Sequence, residues 1–533
     1  MEPATNSFER DAQHMAVAAA KHRYAILAVL TLLYGIGAVR HAASKPLWYD
    51  EVITVMAASA PDAAGTWKLA QQIDASPPLP HLLTHIAMHW FGAGDVATRL
   101  PAIAGFWIFC LCLFWFVRRR LGIFYGLAAL LLPLATEAYD YAYEARAYGL
   151  EFGFCGLMLV SWQAATCFPW PQERFKHATA CAALCLSLMG ALMCHYYAVM
   201  LYVPLAGGEA YRWWKARRSD WGIWAALACG AAPLVWRVAT IRDVVRGFSQ
   251  AIWSQAYPVQ VLEFWEDGLR PGLSILVLAL AVLAFWAWKA PDSAAPPDQP
   301  PALPLHELLA GILFLTIPVF VMAAGMLVTH MFSPRYALLG LTGVVLLTPA
   351  VAARLSGGRA LPAFLMLALA MLGPIVITAT IPPPRNPLTE ESVLVKALAQ
   401  GPVVVADGQL FMQMWHYTPE PLKSNLIFLV DSAASVKYAT FNTAAIDGAL
   451  ASLRHWCPLR VIDYRDFATP GRDFHVLQNP LKPGWLLEKI AADGGSEAID
   501  QYTNLRQLYR VRMKEGPATQ KLSGLDTNRS RDR

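Results

Sequence analysis

Apolar blocks close to 20 residues long recur from Tyr24 to about Ile381, and a chain built on this pattern has few folds open to it. Spanning roughly 30 Å of hydrocarbon takes about 20 residues of α-helix, and a helix satisfies its own backbone polar groups where no water can. Eleven such blocks are read, near residues 24–40, 99–117, 121–136, 148–167, 178–194, 196–211, 221–239, 272–289, 307–328, 337–353 and 360–381. Composition agrees: 56% of the 533 residues are hydrophobic, 15% are charged, and the mean hydropathy is +0.37, which an ordinary soluble protein does not reach. The expected fold class is a membrane all-α protein with about 11 transmembrane helices.

Basic clusters set the expected orientation. Arg118-Arg119-Arg120, Arg212 with Lys215, Arg217 and Arg218, Lys289, and Arg354 with Arg359 all follow even-numbered blocks. Lys and Arg in short loops are retained in the cytoplasm, so the N-terminus is placed inside. Residues 1–23 then read as a cytoplasmic segment ahead of an uncleaved signal anchor, although His41-Ala42-Ala43-Ser44 loosely resembles a cleavage site. The loops carrying Asp50, Tyr143 to Tyr148, His195, Trp253 and Arg335 face outward, as does everything after Pro382. Eight of the nine cysteines lie in or beside the apolar blocks and only Cys457 falls in the outer region, so no disulfide is expected within it. The net charge of +5 follows largely from the inner loops and gives no reason to invoke nucleic acid.

Residues 290–305 are proline-rich and read as a cytoplasmic linker between the eighth and ninth blocks. After Ile381-Pro382-Pro383-Pro384 the composition turns mixed, with strand-like runs at 402–406, 426–430 and 459–462 between helical stretches. This gives the layout 1–23, a transmembrane domain over 24–381, an extracytoplasmic α/β domain over 382–515, and a polar tail, 516–533, expected to be disordered. The loop after the first block is not structureless either. Segments 51–60 and 62–73 have mixed faces, and Pro77-Pro78-Leu79 opens a third helix that ends near Phe91-Gly92. They read as juxtamembrane helices lying in the interface.

Several residues stand out against this background. Asp50 and Glu51 put two adjacent carboxylates at a membrane surface. Arg146 and Arg335 fall at outer edges beside Tyr143, Tyr148 and Tyr336, where a guanidinium suits phosphate oxygens or simply snorkels to lipid headgroups. His81, His85 and His89 repeat every four residues, a spacing that can chelate a divalent metal and equally makes a polar helix face. His195-Tyr196-Tyr197 lies at another outer edge, as an aromatic belt or an acceptor contact. Trp253, Trp265, Glu263, Glu266 and Asp267 occupy the longest later outer loop, against a sugar or against the membrane.

The order Trp48-Tyr49-Asp50-Glu51, Ser76-Pro77-Pro78-Leu79, Arg99-Leu100-Pro101 and Glu144-Ala145-Arg146-Ala147-Tyr148 resembles the GT-C superfamily of integral-membrane glycosyltransferases. The likeness is to the bacterial branch with protein O-mannosyltransferase-like and aminoarabinose-transferase-like enzymes. It covers residues 24 to 215, and more faintly Ser333-Pro334-Arg335-Tyr336; Ser76 stands where many relatives carry His.

The resemblance implies transfer of a sugar from a polyprenyl-phosphate donor, usually with inversion, to an extracytoplasmic acceptor that is a cell-envelope glycan, a lipid or a protein. It implies a multi-pass protein of the bacterial inner membrane with its active site and C-terminal domain on the periplasmic side. Asp50 matches the acidic position and is the expected catalytic base. Glu51, Arg146, Tyr148, His195, Arg335 and Tyr336 are the expected substrate-binding residues, Glu51 alternatively orienting Asp50 or binding a metal, with His81 and His85 as candidate metal ligands. No particular cofactor follows, and a divalent metal ion is left open. The rival classes are a transporter or lipid-linked-sugar flippase, which would carry ionisable groups in mid-span, and a membrane-anchored sensor, which would leave Asp50 unexplained.

Overall fold

The computed structural model describes residues 5–74, 76–168, 170–250, 254–270, 272–289, 302–357, 359–380, 392–438, 441–479, 484–502 and 506–515. Trp253, most of the proline-rich linker and the tail 516–533 lie outside the described residues. The chain divides into two compact units, 1–386 and 387–533.

The first unit is helical throughout. After α1 (Thr5–Lys21) and α2 (Arg23–Ser44) come three short helices, α3 (Tyr49–Ala58), α4 (Ala63–Ile73) and α5 (Leu79–Phe91), where the sequence placed its juxtamembrane segments. Asp62 caps α4 by accepting the Gly65 N–H at 2.6 Å. Two prolines open α5, and Gly92, at φ +86°, closes it in a conformation few other residues adopt. The longer helices follow: α6 (Asp95–Leu121), α7 (Ile123–Leu131), α8 (Ala147–Cys167), α9 (Arg174–Cys194), α10 (Tyr202–Ala216), α11 (Trp221–Gly230), α12 (Ala232–Trp236), α13 (Val238–Gln250), α14 (Gln260–Gly268), α15 (Leu273–Lys289), α16 (Leu305–Leu315), α17 (Ile317–Ala324), α18 (Leu341–Leu355) and α19 (Ala360–Thr380).

All eleven apolar blocks are helical. Among the described residues four helices are long and apolar enough to cross a membrane: α2, α6, α9 and the stretch Pro334–Leu355. A fifth candidate is the pair Leu305–Leu315 and Ile317–Thr329, bent by 44° where the sequence reads one continuous block. Pro318 has no N–H to continue the helical ladder, and Thr316 turns its hydroxyl onto the Leu313 carbonyl at 2.7 Å, so the chain bends there.

The closest helix crossing joins α6 to α8. A Cβ on Gly149 would lie 2.5 Å from the Ala102 carbonyl oxygen, and one on Gly153 2.6 Å from that of Gly105. Only hydrogen fits at these points, so the two backbones meet directly, as small residues allow in apolar surroundings. This contact sets the first turn of α8, which Arg146 caps, beside α6 near Ala102.

The second unit is an α/β fold. Its sheet has the order β3-β2-β1-β4-β6-β5, with β1 (Val403–Val405), β2 (Leu426–Val430), β3 (Val461–Asp463), β4 (Asp473–Gln478), β5 (Ser496–Tyr502) and β6 (Gln507–Arg512). β3, β2, β1 and β4 run parallel, Val403 pairing with both Leu426 and His475; β6 runs antiparallel between β4 and β5. The strand-like runs of the sequence are β1, β2 and β3, every residue of β1 and β2 being buried.

A buried acid makes this unit pH-sensitive. Asp447 is 3% exposed, and its Oδ2 accepts from Ser435 Oγ at 2.7 Å and Trp485 Nε1 at 2.6 Å. Burial pushes its pKa up to about 6, against those two hydrogen bonds. The folded unit therefore holds the proton more tightly than the unfolded chain. Its contribution is complete below about pH 4 and is lost as pH rises through 6, up to about 3 kcal/mol. Hydrogen exchange of the full-length protein, corrected for intrinsic rates, should show peptides around 447 and 485 less protected at pH 7.5 than at pH 5. Asp447→Asn should flatten that difference, and a pH response equal in both proteins would contradict the assignment.

Candidate active site

The site begins with a buried ion pair that fixes the head of α3. Glu51 and Arg99 are both 0% exposed. Arg99 gives Nε and Nη2 to the two Glu51 oxygens, each at 2.7 Å, in a fork-to-fork pair. Glu51 also accepts the backbone N–H of Ala145 at 2.7 Å and that of Trp48 at 3.2 Å, the second from its place at the third position of α3. Arg99 donates further to the carbonyls of Ala42, Lys45 and Pro46, at 2.7, 2.6 and 3.3 Å. One pair thus ties together the end of α2, the start of α3, the start of α6 and the bend before α8. Four donors occupy the Glu51 carboxylate inside the protein, a placement that suits orienting Asp50.

Asp50, its neighbour in the chain, points the other way. Its side chain is 15% exposed, and Oδ2 accepts from Arg335 Nη1 at 2.7 Å, with Arg146 Nε 4.0 Å from the same oxygen. No described residue donates to Oδ1. Arg146 Nη1 reaches the Asp50 carbonyl at 3.3 Å, Thr54 Oγ1 at 3.3 Å and Asp74 Oδ2 at 2.8 Å, so it braces the first turn of α3. Asp74 also accepts from His81 Nε2 at 3.2 Å. Burial would raise the Asp74 pKa, but the Arg146 charge and the His81 and Arg146 hydrogen bonds outweigh it and hold the carboxyl well below the usual carboxylate range. The cluster is therefore two carboxylates interleaved with two guanidiniums.

An aromatic wall stands behind Arg335. Its guanidinium lies 5.5 Å from the centre of the Trp48 ring and 5.8 Å from that of Tyr336. Tyr336 stacks on Tyr197 at 4.9 Å and tilts against His195 at 5.1 Å, and His195 meets Tyr148 at 5.6 Å. Burial, then the charges of Arg146 and Arg335, pushes the His195 pKa down to about 3, so its ring is neutral. Tyr148 and His195, expected at the substrate surface, are 2% and 8% exposed and pack behind it. Tyr336 is half-buried.

His81 and His85 are placed with separate partners. His81 and His85 share one face of α5, but His81 turns to Asp74 and His85 sets Nδ1 2.8 Å from the Ala58 carbonyl oxygen. Among the described residues no group of three His, Cys, Asp or Glu side chains comes together to hold an ion. Four polar residues were missed by sequence reasoning. Asp74 sits in a polar run with nothing to mark it. Glu144, whose Oε1 accepts from Lys45 at 2.5 Å, lies 99 residues along the chain from that partner. Glu151, 4% exposed in α8, faces His195 at 3.9 Å, an acid inside a block that the rival-transporter argument treated as apolar. Arg237 is the fourth.

Chemically, Asp50 offers one free carboxylate oxygen beside two fixed positive charges, which suits proton removal next to a developing or departing anion.

No family model matches the sequence, and no curated protein matches it. Among solved structures the chain is similar to ArnT from Cupriavidus metallidurans in the apo state, with TM-score 0.55, 13% identity, and coverage of 92% of this chain and 98% of that one. It is also similar to ArnT from the same organism bound to undecaprenyl phosphate, with TM-score 0.52, 14% identity and the same coverage. At these identities the likeness is one of fold, and it extends over nearly the whole of both chains.

Proposed function

We propose that this chain, which has the fold of ArnT, a GT-C glycosyltransferase, transfers a sugar from a polyprenyl-phosphate donor to an extracytoplasmic acceptor. The observation that carries the reading is Asp50: one oxygen clamped by Arg335, the other free, at the head of a helix that the Glu51–Arg99 pair holds in place. The acceptor oxygen attacks the anomeric carbon as the carbon–oxygen bond to the phosphate breaks. Its proton goes to Asp50 Oδ1, the configuration inverts, and polyprenyl phosphate leaves. Arg335 and Arg146 serve twice, orienting Asp50 and offering positive charge to the phosphate. The ArnT structure with undecaprenyl phosphate supports a lipid-borne donor.

The basic loops support a topology of about eleven spans with the N-terminus inside, which puts α3 to α5 at the outer surface of a bacterial inner membrane. Nucleotide sugars are absent there, so a lipid has to deliver the donor. The acceptor is an envelope glycan, lipid or protein.

The test is release of polyprenyl monophosphate. Protein in nanodiscs is incubated with polyprenyl-phosphate pentoses and hexoses plus extracted envelope lipids, and the products are weighed by mass spectrometry. Cleavage of one donor with appearance of a glycosylated acceptor is expected. Movement of the intact lipid-linked sugar across the bilayer without cleavage would replace this reading with that of a flippase.

A further inference from the structure

Arg237 follows α12 at the end of an apolar block and is 5% exposed. Its partners are all uncharged. Nε and Nη2 donate to the Tyr196 hydroxyl at 3.3 and 3.2 Å. With the Gln71 amide oxygen turned toward α12, Nη1 donates to it at 3.0 Å, and Trp67 Nε1 donates to the same oxygen. Among the described residues no carboxylate lies within ion-pair distance. The other arginines of this face differ: Arg99 has Glu51, Arg146 has Asp74, and Arg335 has Asp50.

A guanidinium stays charged at any physiological pH, so it cannot shed its proton to escape burial. Taking it out of water is tolerable when an anion shares the site. Three hydrogen bonds to two neutral acceptors orient the group without cancelling its charge, so the cradle is complete except for a negative partner.

The surroundings indicate where that partner comes from. Val235 and Trp236, just before Arg237, are 75% and 64% exposed, and Trp236 meets Trp67 of α4 at 5.7 Å. An exposed tryptophan at the end of an apolar helix, here resting on the half-buried Trp67, is the signature of the level where hydrocarbon gives way to headgroups. An anion arriving here with an apolar tail beside Val235 and Trp236 meets both halves of the site; free phosphate meets only one.

We propose that Arg237, cradled by Tyr196 and Gln71, binds the phosphate of a membrane lipid. The source is either a polyprenyl phosphate or a glycerophospholipid of the bilayer, and the site goes beyond the transferase reading because it stands whether or not Asp50 is a base. Native mass spectrometry of the full chain, titrated separately with a polyprenyl monophosphate, phosphatidylglycerol and inorganic phosphate, tests it. Arg237→Gln should weaken one of the two lipids about tenfold or more, Arg237→Lys should retain most of the affinity, and Tyr196→Phe should fall between.

Loss confined to the polyprenyl phosphate assigns the site to the donor chain, and loss confined to phosphatidylglycerol assigns it to the bilayer. Unchanged affinity for both lipids, or equal binding of inorganic phosphate, overturns the proposal. Should Arg237→Gln fail to fold, the wild-type protein decides: each lipid phosphate is compared with the corresponding lipid alcohol in a thermal shift. No added stabilisation from the phosphate would overturn it equally.

Discussion

Replacing Asp50 with Asn is expected to lower sugar transfer by about a thousandfold or more while leaving donor affinity within about threefold of wild type, since a positioned general base contributes roughly 10²–10⁴. The amide keeps the shape of the carboxylate, and its carbonyl oxygen can still accept from Arg335, now 2.7 Å from Oδ2. What it lacks is a site basic enough to take a proton at the position of Oδ1. The change should therefore appear in kcat rather than in KM, the mark of an interaction made only as the reaction proceeds. Asp74→Asn is the control. It sits in the same cluster, bonded to Arg146 and His81, but both of those partners use the same oxygen, Oδ2, and are themselves protein groups. Its loss should loosen Arg146 and cost far less rate. If Asp50→Asn turned over like wild type, or if the two variants lost activity equally, Asp50 would be a member of the ionic cluster and nothing more.

Why Asp50 could be picked out beforehand, and Asp74 could not, is a matter of contrast. Arg146 and Arg335 stand just ahead of apolar blocks, and Asp50 follows Leu47-Trp48-Tyr49 in the loop after the first, so each charge adjoins an apolar run and is visible in the sequence alone. Asp74 follows Gln71-Gln72-Ile73, where another polar residue is unremarkable. Glu51 was visible but its partner was not: Arg99 lies 48 residues away, and nothing in local patterning says that the two carboxylates face opposite ways. The same division runs through the fold. Fully buried β1 and β2 announce themselves as unbroken apolar runs, whereas β4 and β6 mix polar and apolar residues over lengths too short to separate from loop. The bend at Thr316 to Pro318 was equally hidden, because hydropathy reports burial and is blind to whether the ladder continues.

Removing Arg99 should do more damage to the protein than any other single change at this face. Arg99→Met leaves the Glu51 carboxylate at 0% exposure with only two backbone N–H groups and no cation, and breaking such a pair from one side costs about 3–5 kcal/mol. That is a large share of the stability of most folds, so the expected result is little recoverable protein or a sharply lowered Tm. The double variant Glu51→Leu/Arg99→Met separates the two roles of the pair. With both charges gone the desolvation penalty disappears, and part of the lost stability should return. Recovery should stay incomplete, because Arg99 also satisfies the carbonyls of Ala42, Lys45 and Pro46, which apolar side chains leave without a donor. Transfer should remain low even where folding returns, since the head of α3 is no longer tied to Ala145 and Asp50 loses its fixed relation to Arg146 and Arg335. Geometry of this kind is worth orders of magnitude in rate when reacting groups shift by about 1 Å. Thermal unfolding of the three proteins, read beside their kcat values, decides the matter. Should the double variant recover stability and full activity together, the pair would be a packing element, and the placement of Asp50 would have to rest on its arginines alone.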